Sequence, residues 1–166
     1  MAVGVRRRRR WWFLFAAALI ILLAAGTSFL PLPLRDSDKA QAAEALVAWI
    51  VNGQSLPGFA EEYPDAQHMP KQKRFFIICD FVPSDVLLST DSRVQRITEK
   101  ERETVFKAHR YDDTDYIFIT LKSESSTLIV VEFTNAFGHV AAHYYSFEFR
   151  RKLWGLRASG KLLGVS

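Results

Sequence analysis

The sequence predicts an α+β domain behind an N-terminal transmembrane helix. Three features support this class: a basic start that leads into a long uncharged stretch, an amphipathic helical segment after it, and a final third in which apolar and polar residues alternate. Alternation with period two indicates strands, and a spacing of three and four residues indicates a helix. We therefore expect one helix packed on a bent antiparallel sheet of about four strands.

The basic start is a run of arginines from Arg6 to Arg10, and the uncharged stretch after it extends from Trp11 to Leu30. Its twenty residues can cross a hydrocarbon core of about 30 Å, because a helix rises ~1.5 Å per residue. Arginines favour the cytoplasmic side of a membrane, and tryptophans such as Trp11 and Trp12 favour its headgroup boundary. The pattern predicts a single-pass signal-anchor with a cytoplasmic N-terminus.

These features divide the chain into a cytoplasmic basic segment (1–10), a transmembrane anchor (11–30) and an extracytoplasmic domain (31–166). The alternative for 11–30 is a cleaved signal peptide, which would make the protein secreted or periplasmic. Signal peptides carry an apolar stretch of about 7–15 residues, which is shorter than this one. Ala40-Gln41-Ala42 has the small-residue pattern of a cleavage site but lies far beyond the apolar stretch. Retention of the anchor is therefore the main prediction.

The charge balance of the domain argues against a nucleic-acid partner. The chain has 22 Lys and Arg against 18 Asp and Glu, but without Arg6 to Arg10 the basic count is 17 and the balance is −1. A near-neutral domain lacks the positive surface that neutralises phosphates. The arginines instead indicate the membrane as a partner.

The first element of the domain is an amphipathic helix over 36–51. Asp36 or Ser37 can cap its start, and Asn52-Gly53 ends it. Its apolar face consists of residues at three- and four-residue spacing: Ala40, Ala43, Leu46, Val47 and Ile50. A strand over 74–82 is apolar on both faces, which predicts a position inside a sheet.

Thr98 and Glu101 form a capping box, which predicts a charged surface helix over 98–109. The last third of the chain then predicts strands over 116–122, 128–134, 139–151 and 162–166. The first two form a hairpin in which Leu121 meets Ile129, so that every core residue faces a core partner.

The third of these strands departs from a regular alternation. Its apolar residues change phase after Tyr144. A β-bulge at that point would restore the alternation and bend the sheet. A helix followed by a bent antiparallel sheet resembles the cone-shaped NTF2-like or cystatin-like fold, over roughly residues 36–166. NTF2-like domains include both binding modules and enzymes, so the resemblance does not choose between these functions.

No residue pattern predicts catalysis, a metal site or a cofactor. His139 and His143 would lie about 13 Å apart on a strand, which is too far for one metal ion. The acidic residues over 112–115 are typical of a turn. Cys79 lies among apolar residues, an environment that keeps a thiol unreactive.

The hairpin leaves a second sheet face, away from the amphipathic helix, that carries Tyr116, Phe118, Val130, Glu132 and His143. An aromatic face with few polar groups suits a ligand wall, a homodimer contact or another protein partner. The alternative is that the helix over 98–109 covers this face.

Together these features predict a membrane-anchored, extracytoplasmic binding or accessory domain without catalytic activity. The second interpretation is a small-ligand binder, or an enzyme with a pocket in the bend of the sheet. The two interpretations differ in one observable feature. An enzyme needs a buried carboxylate or histidine with a partner and a shifted pKa.

Overall fold

The computed structural model describes residues 15–19, 30–59, 73–109, 113–137 and 141–165. Beyond the helical residues 15–19, these ranges hold two helices and six strands. The helices are α1 (Asp36–Asn52) and α2 (Glu99–Ala108). The strands are β1 (Arg74–Cys79), β2 (Val94–Arg96), β3 (Thr114–Glu124), β4 (Leu128–Phe137), β5 (Ala141–Lys152) and β6 (Gly155–Val165).

The predicted α+β fold class is wrong. Strands hold 45% of the described residues and helices hold 27%, so the domain is mainly β. All six strands join one mixed sheet in the order β2-β1-β3-β4-β5-β6. β1 runs parallel to β2 and β3, and the remaining pairs are antiparallel. The sheet is larger than predicted because β1 joins it and because β2, with three residues, is too short to show a period.

The predicted transmembrane helix is also corrected. Among the residues that the structure describes, no helix is long and apolar enough to span a membrane. The single-pass signal-anchor is therefore not supported. Within 11–30, only residues 15–19 and Leu30 are described. The other residues assigned to the anchor lie outside the described residues: Arg6, Arg10, Trp11 and Trp12.

α1 forms where the spacing of apolar residues predicts it. The backbone N–H of Arg35 donates to Asp38 Oδ2 at 2.7 Å, so a carboxylate in the first turn reaches back to close the start of the helix. Gly53 ends the helix in the left-handed conformation, with a φ of 65°, which glycine adopts without strain. The predicted helix over 36–51 is confirmed, but Asp38 closes its start rather than the predicted Asp36 or Ser37.

The indole of Trp49 lies at the centre of the core, on the sheet face that packs against α1, which we call the inner face. Its ring centroid is 5.8 Å from that of Phe133, 5.1 Å from that of Tyr145 and 5.3 Å from that of Phe147. These rings meet the indole edge-on, a geometry that aromatic pairs prefer. Buried residues of the six-stranded sheet complete the inner face: Phe75, Ile77, Ile117, Ile119, Ile129, Val131, Phe149 and Ala158.

β1 has buried residues on both of its faces, as its sequence predicts. Phe75 and Ile77 belong to the core under α1. Phe76 lies on the opposite sheet face, which we call the outer face, in a smaller cluster with Ile97 and Tyr116. β1 lies between β2 and β3, so the predicted interior position is confirmed.

The predicted hairpin is formed by β3 and β4, but its register is shifted by two residues. Leu121 pairs with Val131 rather than with Ile129. The loop is shorter than predicted because β3 extends to Glu124. An irregularity between Leu121 and Ser123 adds one extra residue to β3 relative to β4. A shift by an even number of residues keeps each side chain on its predicted face.

The predicted bulge is present, but in a different pair of strands. β5 pairs with β4 without interruption. The irregularity lies between β5 and β6, where Tyr144 pairs with Gly164 and Tyr145 pairs with Leu162. The extra residue is therefore Leu163 on β6. The sequence predicts only 162–166 for this last strand, because glycines and charged residues hide the alternation in its first half.

The close contact between β6 and the core gives a test of this packing. A Cβ at Gly160 would lie 2.4 Å from two ring carbons of Phe147, whereas a Cβ at Gly164 would meet nothing within 4 Å. We expect Gly160→Ala to lower the free energy of unfolding by about 1–3 kcal/mol. The matched Gly164→Ala should change it by less than about 0.5 kcal/mol. Equal effects in urea denaturation would contradict the position of Phe147 over β6.

Candidate functional site

The outer face carries Tyr116, Phe118, Val130 and Glu132, as predicted. The β3–β4 ladder shows this directly, because Thr120 pairs with Glu132 and opposed residues of an antiparallel pair share a face. Four of the five residues predicted to form one surface therefore lie on the same side of the sheet.

His143, the fifth residue, lies on the inner face instead. It pairs with Asn135 of β4, in the same phase as the buried pair Phe133 and Tyr145. The prediction assigned the change of phase to the pairing of β5 with β4. Because these two strands pair without a bulge, His143 lies on the same face of β5 as the core residue Tyr145.

A polar row lies next to His143 on the inner face. Lys73 Nζ is 2.6 Å from Asp115 Oδ1, and Asn135 Nδ2 donates to Asp115 Oδ2 at 3.3 Å. Asp115 and Asn135 are 1% and 0% exposed. Asp115 lies in β3 rather than in the predicted turn, and His139 and Asp112 lie outside the described residues. The row belongs to the packed interior, where a buried charge needs its partner.

α2 confirms the helix predicted over 98–109, and it covers part of the outer face. The ring centroids of Phe106 and Tyr116 are 3.9 Å apart. The guanidinium of Arg102 lies 5.1 Å from the centroid of the Phe118 ring. Tyr116 is fully buried, so it is part of the core and does not belong to a free surface.

The part of the outer face beyond α2 resembles a solvated surface. Val130 and Glu132 are half-buried. Glu132 Oε2 lies 2.8 Å from Lys122 Nζ, and Glu148 lies 3.1 Å from Arg150. Charges that pair with each other at half-exposed positions contribute little energy and are typical of a surface in contact with water.

A groove of about 710 Å³ opens on the outer face between the end of β1, the start of α2 and the middle of β3. Its apolar lining includes Ile78, Ile97 and Phe118. Its polar lining includes Asp80, Ser84, Thr98, Glu99 and Arg102. Small-molecule sites typically measure about 300–1,000 Å³, so this groove has the size of a binding site.

The predicted capping box fixes the α2 side of the groove. Thr98 Oγ1 accepts a hydrogen bond from the Glu101 N–H at 3.3 Å, and Glu101 Oε2 accepts one from the Thr98 N–H at 2.8 Å. The hydrogen bonds from Thr98 hold the pKa of Glu101 below its usual value. Arg102 forms a 2.6 Å ion pair with Glu99, which helps to keep it over Phe118 at the rim.

Arg96 fixes the β1 side of the groove. Its guanidinium donates to the backbone carbonyls of Cys79, Val82, Pro83 and Val86. The bonds to Cys79 and Val86 are each 3.1 Å long. A single side chain therefore satisfies carbonyls in the irregular segment after β1. Sequence reasoning missed Arg96 because its spacing does not distinguish it from a solvated arginine.

Cys79 and Asp80 line the groove where β1 ends. Burial raises the pKa of the Cys79 thiol, which keeps it protonated at neutral pH. Asp80 Oδ1 accepts a hydrogen bond from the Leu121 N–H at 3.2 Å. In the part of the chain that the structure describes, no group of three or more His, Cys, Asp and Glu residues is able to hold a metal ion.

A smaller cavity of about 230 Å³ lies at the irregularity between β5 and β6, where the predicted bend would place a pocket. Its lining includes Glu132, Tyr144 and Leu163. This volume is below the usual range of small-molecule sites. The groove beside α2 is therefore the stronger candidate.

The packing of α2 on the outer face can be tested at Phe106, the residue that contacts Tyr116 of the sheet. α2 has no fully buried residue, and Phe106 joins it to Tyr116. We expect Phe106→Ala to accelerate hydrogen exchange over 99–108 and to lower the free energy of unfolding by roughly 1–3 kcal/mol. The exposed neighbour Lys107 provides the control, since Lys107→Ala should change neither quantity appreciably. Unchanged exchange in Phe106→Ala would contradict this role of α2.

No family model, curated protein or solved structure matches the chain. The resemblance to NTF2-like or cystatin-like domains therefore stays a prediction from the order of the elements.

Proposed function

We propose that this domain is a binding module without catalytic activity, which holds an apolar group of its ligand in the groove over Phe118. The observation that carries the proposal is the groove itself, with a volume of about 710 Å³ and walls fixed by Arg96 and the capped start of α2. Walls that are ordered before binding reduce the entropy cost of taking up a ligand.

The lining of the groove indicates a ligand with an aromatic group and a carboxylate. Ile78 and Phe118 provide an apolar floor, while Arg102 provides a cation at the rim. The ion pair of Arg102 with Glu99 is largely exposed, with side chains 44% and 63% accessible, so it is weak and exchangeable. A ligand carboxylate is able to replace Glu99 while the aromatic ring contacts Phe118.

An enzyme is the second interpretation, and the groove gives it less support. The buried carboxylates that the structure describes lie away from the groove. Asp115 pairs with Lys73 on the inner face, and Asp38 pairs with Arg151 at the start of α1. Among the described residues, the groove lining contains Cys79, whose pKa is raised by burial, and no histidine to act as a base. Binding requires neither group.

We place this module outside the cytoplasm. The run from Arg6 to Arg10 followed by the uncharged stretch to Leu30 is typical of exported chains. Secretion after cleavage of the N-terminal segment would bring the module there. The near-neutral balance of the remaining chain argues against nucleic acid as the ligand.

The proposal is tested by titrating the full chain with phenylacetate, which combines one aromatic ring with one carboxylate, and following amide resonances by nuclear magnetic resonance. We expect saturable shifts at Ile78, Phe118 and Thr120. Ser84→Trp places an indole in the groove and should weaken binding about tenfold or more, which corresponds to ~1.4 kcal/mol.

Ser92→Trp is the matched control, because Ser92 is exposed and does not line the groove. It should leave the affinity for phenylacetate unchanged. Shifts scattered over the surface, or equal affinities of the two variants, would show that the groove is not the binding site. Benzyl alcohol, which lacks the carboxylate, should bind more weakly than phenylacetate if Arg102 contributes.

A further inference from the structure

The charged side chains that line the groove over Phe118 balance each other. Among the described residues of this lining, two are acidic, Asp80 and Glu99, and two are basic, Arg96 and Arg102. A ligand with a net charge disturbs this balance, whereas a ligand that carries one positive and one negative group preserves it. Electrostatic complementarity therefore favours a zwitterion over a simple carboxylate.

The four charged groups differ in how firmly the protein holds them. Arg96 donates to backbone carbonyls of the segment after β1, at 3.1 Å to both Cys79 and Val86. Asp80 accepts a hydrogen bond from the backbone of β3. By contrast, the 2.6 Å ion pair of Arg102 with Glu99 joins two largely exposed side chains. This pair at the rim is therefore the one that a ligand exchanges with most easily.

A ligand carboxylate that binds Arg102 affects Glu99 as well, because the two side chains are in contact. The ligand carboxylate either repels Glu99 at short distance or displaces it from its cation. An ammonium group beside the ligand carboxylate offsets both effects, since it pairs with Glu99. In an α-amino acid the two groups are bonded to the same carbon atom, so they suit two partners that lie side by side.

The apolar part of such a ligand has a place below this ion pair. The guanidinium of Arg102 lies 5.1 Å from the centroid of the Phe118 ring, so the charged rim and the apolar floor are adjacent. Ile78 and Ile97 line the groove beside Phe118. A side-chain ring attached to the charged carbon therefore reaches apolar surface, and aromatic pairs contribute favourably there.

We infer that the groove binds an aromatic α-amino acid. The carboxylate of the ligand pairs with Arg102, its ammonium group pairs with Glu99, and its ring contacts Phe118. Glu99 and Arg102 are three residues apart in α2, so one helical turn holds both charged groups. The inference rests on the proposed function of the groove, and it assigns to Glu99 a role that a simple carboxylate ligand does not give it.

The inference is tested with three ligands that differ by one charged group. Phenylpropionate is phenylalanine without its ammonium group, and phenethylamine is phenylalanine without its carboxylate. Affinities for the full chain are measured from the amide resonances of Phe118 and Thr120. We expect phenylalanine to bind about threefold to fivefold more tightly than either analogue, because each analogue loses one partly exposed ion pair.

Glu99→Gln removes the partner of the ammonium group and also the competitor for Arg102. Phenylalanine should then bind about threefold to fivefold more weakly. Phenylpropionate should bind at least as tightly as before, and this opposite response separates the role of Glu99 from a general loss of structure. Glu103→Gln is the matched control, because Glu103 pairs with Lys107 at 2.7 Å in the same helix but does not line the groove. It should leave the preference for phenylalanine unchanged.

Equal affinities of the unaltered chain for phenylalanine and phenylpropionate, or a preference that survives Glu99→Gln, overturn the inference. In both cases the proposed function stands, provided that phenylpropionate still shifts the resonances of the groove. If neither phenylpropionate nor phenylacetate shifts them, the groove is not a binding site for aromatic carboxylates, and the proposed function and the inference both fail.

Discussion

The packing of Trp49 against the aromatic side chains of β4 and β5 is the contact on which the rest of the domain depends. α1 packs on the inner face, and the indole of its Trp49 is large enough to contact Phe133, Tyr145 and Phe147 together. Phe59, in the turn after α1, lies 5.9 Å from Trp49 and 5.5 Å from Phe147. The same cluster therefore positions the helix, the middle strands and the chain that leaves the helix.

The outer face of the sheet is less completely covered than the inner face. The core under α1 is closed, and the polar row around Asp115 is buried within it. On the outer face α2 contributes partly buried residues such as Phe106, and it covers β3 only in part. The step between this helix and the sheet forms the groove over Phe118.

Sequence patterns predicted the elements that neighbouring residues determine: α1, β1 and α2, which begins at the Thr98 capping box. Pairing partners are not local, so the β3–β4 register was predicted two residues away from its position. One bulge assigned to the wrong pair of strands moved His143 to the wrong face. In the groove, Phe118 was predicted from alternation, but Arg96 bonds to carbonyls 10 to 17 residues away, which no period in the sequence reveals.

The dependence of the fold on Trp49 is best measured by truncating two tryptophans, one buried and one exposed, and comparing the free energies of unfolding in urea. Trp49 is 1% exposed and Trp154 is 76% exposed. We expect a loss of about 3–5 kcal/mol for Trp49→Ala and less than about 0.5 kcal/mol for Trp154→Ala. Similar losses for the two variants would contradict it, because the fold would then not depend on the contact of Trp49 with the sheet.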